Sequence, residues 1–270
     1  IRPTTMSTPT FGCEKMDVAV LSSGGKDSTY AVWWAIMKGW NVRFIITLRV
    51  VAEDSMMYQL EGTAIAGLQA ASANIPWLPI LQLDEDGTDT LEEALLPFVE
   101  GSSWPRSSTW SRNNQDAAMW PDDWPWPNIR RAIPEKPIQG IVSGALRSDY
   151  QRTRIDCMAE RLGIRSFSPL WHMPAEQHMR NLLNAGFDVR FSAVAAEGLN
   201  ESWLGKRLNE ETLEELIHLN RTNGLNIDGE GGEFETSVLA APWFNPLEWV
   251  IENQWKRQNG KIKITHAEIK

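Results

Sequence analysis

Cysteine is scarce. Cys13 and Cys157 stand alone, with neither a CxxC pair nor a zinc-ligand spacing. Two reduced cytosolic thiols are the plain reading, and a disulfide between them stays open. Long apolar runs are missing as well. None reaches the roughly 20 residues that cross a bilayer, so no membrane role is expected. Residues 1–15 are polar, lack the apolar core of a signal peptide and read as a tail. Positive charge is also short: 26 Lys and Arg against 35 Asp and Glu give a net charge of -9. That balance argues against a large nucleic-acid footprint, and no direct nucleic-acid binding is expected. The histidines, His172, His178, His218 and His266, show no metal spacing and receive no role.

Hydrophobic residues make up 42% of the 270, enough for one large domain or two modest ones. Tryptophan is unusually common at 14, with five between Trp104 and Trp126. Pro105, Pro121, Pro125 and Pro127 fall in the same stretch and forbid a continuous helix or central strand. Residues 101–130 therefore read as a long irregular insertion, either disordered or simple surface packing, or else an active-site lid or partner-docking loop.

Elsewhere the pattern alternates. Strands are expected at 17–21, 42–51, 78–83, 138–143 and 165–169. Helices are expected at 28–38, 62–73, 88–99 and 148–162. Strands and helices in turn imply βαβ units and a parallel sheet covered on both faces. After about residue 170 the rhythm changes. A helix is expected at 175–185, a strand at 189–194 and a helix at 209–222. Asn259-Gly260 marks a hairpin turn. The expected organisation is a tail (1–15), an α/β domain (16–170) and a smaller C-terminal α/β domain (171–270).

One motif carries chemistry on its own: Ser22-Ser23-Gly24-Gly25-Lys26-Asp27-Ser28, between a predicted strand and a predicted helix. Gly24 and Gly25 allow backbone angles closed to other residues and let amides approach an anion. The following helix points its positive end at the same place. Ser23 and Ser28 add hydroxyls and Lys26 adds charge. Asp27 would repel a phosphate, so it caps the helix or holds Mg²⁺ through water. The spacing is not the GxxxxGK[ST] loop. It matches the SGGxDS signature of the PP-loop pyrophosphatases, which split ATP into AMP and pyrophosphate.

Further blocks resemble the diphthine–ammonia ligase family of that superfamily. They are Gly144-Ala145-Leu146-Arg147-Ser148-Asp149-Tyr150-Gln151, Ser168-Pro169-Leu170-Trp171, Gly198-Leu199-Asn200-Glu201-Ser202-Trp203-Leu204-Gly205, and Glu230-Gly231-Gly232-Glu233-Phe234-Glu235-Thr236. The likeness runs from Met16 to about Phe244. It departs at Met57-Tyr58-Gln59, where the family more often has His after the aromatic residue, and in the long insertion.

The resemblance implies a Rossmann-like (HUP-type) fold and a ligase that uses ATP and Mg²⁺. Its partners would be ammonia and translation elongation factor 2, whose diphthine carboxylate it amidates. Gly144, Tyr150 and Gln151 would join the phosphate loop in binding ATP. Asp27, Glu230, Glu233 and Glu235 would be the catalytic carboxylates, the three glutamates binding ammonium or taking its protons. Trp171, Asn200, Glu201, Trp203, Gly231, Gly232 and Thr236 would bind the substrate. Aromatic faces attract the trimethylammonium group of diphthine, although ordinary packing is the plainer reading of Trp171 and Trp203. For the three glutamates the plain alternative is a solvated turn. Two other readings compete for the whole chain: a PP-loop enzyme acting on tRNA, and a non-catalytic nucleotide-binding protein.

Overall fold

Five short strands make one parallel sheet. They are β1 (Asp17–Leu21), β2 (Asn41–Val50), β3 (Trp77–Gln82), β4 (Gly140–Val142) and β5 (Arg165–Phe167), in the order β3-β2-β1-β4-β5. This is a computed structural model, and it describes residues 15–50, 56–82, 88–99 and 119–270. Side chains alternate across a strand. Val18 and Val20 therefore enter the core on one face of β1, while Ala19 enters the core on the other. Helices α1 (Lys26–Met37) and α2 (Met56–Ser72) contribute to the first core. Helices α3 (Thr88–Leu95) and α4 (Asp149–Arg161) contribute to the second.

The chain leaves β1 toward β2 and β3, then returns to the other side of β1 for β4. Strand order thus reverses between β1 and β4, and in such sheets ligands bind beyond the strand C-termini at the reversal. The loop that follows β1 and the loop that follows β4 both open at that place.

A second sheet, β7-β6-β9-β8, is antiparallel. It is formed by β6 (Asp188–Val194), β7 (Phe234–Ala240), β8 (Leu247–Lys256) and β9 (Asn259–Ile269), with α5 (Ala175–Asn184) and α6 (Glu210–Asn223) beside it. Phe191 and Val238 of this sheet and Leu213 of α6 belong to the same core as Val18 and Leu68. The two sheets therefore share one hydrophobic core.

Three expectations change. The hairpin turn lies at Arg257 and Gln258, and Asn259-Gly260 already pairs within β9. Gly260 sits there because the Trp255 indole lies over it; a Cβ would fall 2.4 Å from that ring. The Gly-rich segment is a turn only as far as Glu233, and Glu235 lies on strand β7 instead of in a solvated turn. In the insertion, Met119, Trp120 and Trp124 are buried in the first core, so its end is structural. Residues 100–118, the tail residues 1–14 and the side chains of Tyr58 and Gln59 lie outside the described residues.

Candidate active site

The loop between β1 and α1 is shaped by its own residues. Gly24 has φ +83°, a left-handed angle that suits glycine. Its carbonyl accepts hydrogen bonds from the Val238 amide (3.0 Å) and from Gln69 Nε2 (3.2 Å). Gln69, fully buried in α2, also donates to the Val238 carbonyl at 2.8 Å. Ser28 Oγ accepts from the Ser23 amide at 3.2 Å and donates to the Gly25 carbonyl at 3.2 Å. Thr236 Oγ1 accepts from the Lys26 amide at 3.2 Å. The loop is thus strapped to β7, and Thr236 braces it from behind.

Asp27 sits in the first turn of α1 between two donors. Lys26 Nζ is 2.8 Å from Oδ2, and His178 Nε2 is 2.7 Å from Oδ1. Burial alone would push the Asp27 carboxyl up. The Lys26 ammonium and the His178 ring outweigh it and hold Asp27 below the ordinary aspartate value. Lys26 is buried, with its ammonium on Asp27. This corrects its expected place on the phosphates. His178, given no role on sequence grounds, is a contact of the site. The available signal was its position: it shares the buried stripe of α5 with Met179 and Leu182.

A cleft of about 500 Å³ opens at the strand reversal. It is lined by Ser23, Gly25, Asp27 and Ser28 from the loop, by Gly144, Tyr150, Gln151 and Arg154 from β4 to α4, and by Glu230. Leu21, Ile46, Leu48 and Leu91 form an apolar part. Gly144 is there for closeness: a Cβ on it would lie 2.7 Å from Asp27 C and from Ser28 N. Desolvation and the negative charge of Asp27, with Asp228 beyond, raise the Glu230 carboxyl above the ordinary glutamate value, against Lys26 and Arg147. Asp228 is fully buried and ion-paired with Arg147.

Other expected residues do not line this cleft. Glu233 folds back into its own turn. Its carboxylate accepts from the Asn226 amide (3.0 Å), Asn226 Nδ2 (2.6 Å) and the Gly231 amide (2.7 Å). Burial pushes it up, but these bonds prevail and hold it below the ordinary glutamate value. That corrects its expected part as a base, because both oxygens are already engaged. Gly231 and Gly232 are exposed within that turn. Glu235 is exposed on β7, opposite Ala193. Trp203 is buried, edge-on to Phe191 at 5.0 Å. It packs as a core residue, the plainer of its two readings, and the Lys206 ammonium lies over its ring at 4.6 Å. The face of Trp171 is covered by the Arg152 guanidinium at 4.5 Å. Asn200 accepts from the Ser202 amide at 2.9 Å and caps the short 3₁₀ turn Glu201–Trp203, in which Glu201 is exposed.

Two family models match: the diphthamide synthase N-terminal domain over residues 16–96 and the diphthamide synthase C-terminal domain over residues 174–269. Curated relatives named diphthine–ammonia ligase include one from Schizosaccharomyces pombe, 31% identical over 235 residues. That match covers 85% of this chain and 35% of the relative. The Rattus norvegicus relative is 30% identical and the Homo sapiens relative 29%. Each match covers 85% of this chain and 80% of the relative. The chain therefore spans about a third of the fission-yeast protein and most of the mammalian ones. Among solved structures there is a distant likeness, with TM-score 0.36 and 19% identity, to a predicted subunit of tRNA methyltransferase from Methanocaldococcus jannaschii. It covers 84% of this chain and 98% of that one.

Proposed function

The chain belongs to the diphthine–ammonia ligase family, and we propose that its cleft carries out the amidation for which that family is named. As a member it is a ligase that joins carbon to nitrogen with ATP in diphthamide biosynthesis. The protein substrate is translation elongation factor 2, whose diphthine side chain carries the carboxylate. The enzyme works where that factor works, in the cytoplasm. No helix among the described residues is long and apolar enough to cross a membrane.

One observation carries the assignment of roles. Three distant stretches of chain, 23–28, 144–151 and 230, meet on a single cleft at the strand reversal. ATP fits with adenine against Leu21, Ile46, Leu48 and Leu91 and its phosphates toward Ser23, Gly25 and Ser28. Tyr150 and Gln151 flank the opening on the α4 side.

A carboxylate resists ammonia because oxide is a very poor leaving group. The diphthine carboxylate oxygen therefore attacks the α-phosphorus of ATP. An oxygen–phosphorus bond forms, the bond to pyrophosphate breaks, and an acyl-adenylate results. Ammonia then attacks the acyl carbon, AMP leaves with the bonding electrons, and the nitrogen sheds a proton. Glu230 takes that proton. Its raised carboxyl sits closer to neutral pH, where a general base is most effective. The loop's role is alignment and charge stabilisation.

Magnesium fits this site as an ion carried in with the triphosphate. Among the described residues no group of three or more His, Cys, Asp or Glu is placed to hold a metal. Asp27 is the residue that would hold it, through water. Its side chain is 23% exposed, and each oxygen accepts one hydrogen bond and keeps a second lone pair. When bound, the ion neutralises charge on the phosphates.

The test is direct. Purified protein is incubated with diphthine-bearing elongation factor 2, ATP, Mg²⁺ and ammonium, and the modified residue is followed by mass spectrometry. Conversion of carboxylate to amide is expected, with pyrophosphate released. No conversion by folded protein would overturn the reading.

A further inference from the structure

His178 takes no part in the proposed reaction, yet it holds one oxygen of Asp27, which lines the cleft. It lies on α5, in the segment matched by the C-terminal family model, whereas Asp27 lies in the segment matched by the N-terminal one. The side chain is fully buried. Tyr30 packs edge-on against its ring at 5.4 Å, which fixes the ring plane.

The network assigns its tautomer. A carboxylate oxygen only accepts, so Nε2 carries the hydrogen of the 2.7 Å bond to Asp27 Oδ1. Nδ1 is buried with no hydrogen-bond partner among the described residues. A bare lone pair is the less costly group to leave unpartnered there, since a buried N–H without an acceptor forfeits a full hydrogen bond.

We propose that His178 is a positioning residue for this reaction. It fixes the Asp27 carboxylate by donating from Nε2 on the side opposite Lys26. An aspartate held by one donor still rotates about its last torsion, which has a broad, shallow profile. Lys26 on Oδ2 and His178 on Oδ1 together remove that freedom. The carboxylate then presents the same edge to the cleft before and after ATP enters, so no reorganisation is left for the transition state. The kinetic part of this inference rests on the amidation proposed above; the hydrogen-bond part does not.

The experiment has two arms. The first is spectroscopic and needs no substrate. Protein labelled with ¹⁵N in its four histidines is compared with H178Q to assign the His178 ring signals. A fixed Nε2–H tautomer is expected, and D27N is expected to shift it. A His178 ring that averages its tautomers, carries its hydrogen on Nδ1, or ignores D27N would overturn the proposal.

The second arm is kinetic. His178→Leu keeps the bulk and removes the donor, while His178→Gln offers an amide donor near the place of Nε2. For H178L, kcat for amide formation is expected to fall roughly 10- to 100-fold, the range set by a hydrogen bond to a charged group. Its KM for ATP should change less than about threefold, because the loop hydroxyls and amides that face the phosphates do not touch His178. H178Q is expected to recover most of the loss. Wild-type kcat in folded H178L, or equal losses in both variants, would overturn the positioning role. If H178L does not fold, H178Q and the spectra still decide. Wild-type protein that leaves diphthine unchanged would sink the amidation and leave the spectroscopic arm standing on its own result.

Discussion

The Lys26 amide donates to the Thr236 hydroxyl at 3.2 Å, joining residues 210 apart in the chain. The bond ties the first turn of α1 to β7, the strand that continues the Gly-rich segment of the C-terminal sheet. The hydroxyl acts as a helix cap supplied from outside the helix, since Gly25 at the N-cap position has no side chain to do so. Thr236→Val keeps the shape and removes the acceptor. Stability is expected to fall by about 1 kcal/mol, and ATP affinity to fall several-fold because the loop is less well held. Thr236→Ser should restore both. Chemical denaturation and ATP titration on the same preparations check this. Unchanged ATP affinity in the Val variant would mean that the loop holds its shape without β7.

Glu230 and Glu233 are three residues apart and are expected to behave oppositely. Glu230→Gln should retain ATP binding and lose amide formation, by roughly 10²–10⁴-fold for a missing general base. Its pH behaviour follows from the direction of its shift. The folded state binds the Glu230 proton more tightly than the unfolded chain, so stability declines as pH rises from the ordinary glutamate range through the raised value. At pH 7 the charge is unfavourable, and the Gln variant should melt no lower than wild type. That advantage should vanish below the ordinary glutamate range. The acid limb of the wild-type rate should also lie at higher pH than an unshifted glutamate gives. Glu233→Gln keeps one acceptor oxygen, so it loses either the bonds from Asn226 or the bond from Gly231. It is expected to lower stability by about 1–2 kcal/mol and to leave the rate per folded molecule within a few-fold. A dead but stable Glu233→Gln variant would return that residue to the chemistry.

Much of this arrangement is legible in the sequence where local rules act alone. β1, the loop and α1 follow from an apolar run, a glycine pair and a helical pattern, and Ser23, Gly25, Asp27 and Ser28 do meet on the cleft. What stays hidden depends on contacts made at long range. Lys26 reads as a phosphate ligand, but Asp27 is beside it and captures the ammonium. His178 lacks any metal spacing and is visible only once α5 packs toward α1. For Glu235 a solvated turn is the plain alternative, yet pairing with β6 puts it on a strand. Asn259-Gly260 has hairpin chemistry, but its glycine serves the Trp255 ring across the strand pair.

The tryptophan-rich stretch is a further case. From sequence, removing residues 104–126 should leave nucleotide binding intact. Trp120 and Trp124 are buried, 4% and 5% exposed, with Trp120 edge-on to Trp77 at 6.2 Å. Trp120→Ala is expected to cost about 3–5 kcal/mol, as large-to-small changes in cores do, while ATP affinity per folded molecule stays the same. The deletion, which takes both rings, should unfold the protein under ordinary conditions. Thermal melts of the single variant and the deletion test the claim. A deletion variant as stable as wild type would contradict it.

Gly144 offers the sharpest test of the cleft, because the reason for its glycine is spatial. A Cβ there would lie 2.7 Å from the Asp27 carbonyl carbon and 2.7 Å from the Ser28 nitrogen. Both are backbone atoms, so no flexible side chain can give way. Interiors are packed too densely to absorb the methyl elsewhere. Gly144→Ala must therefore push the β4–α4 connection away from the first turn of α1 and widen the place where the phosphates sit. The expected stability loss is about 1–3 kcal/mol, the usual range for overpacking. ATP affinity should fall at least tenfold, because the displaced atoms belong to the loop itself. Gly163 is the control, at the far end of α4. It has φ +68° and nothing within 4 Å of a built Cβ, so its glycine serves conformation and not closeness. Gly163→Ala is expected to lower stability by about 1 kcal/mol and to leave ATP affinity alone. Isothermal titration with ATP, run beside melts of both variants, separates the two kinds of glycine. Equal ATP affinity in Gly144→Ala and wild type would show that the phosphates do not depend on this approach of α4 to α1.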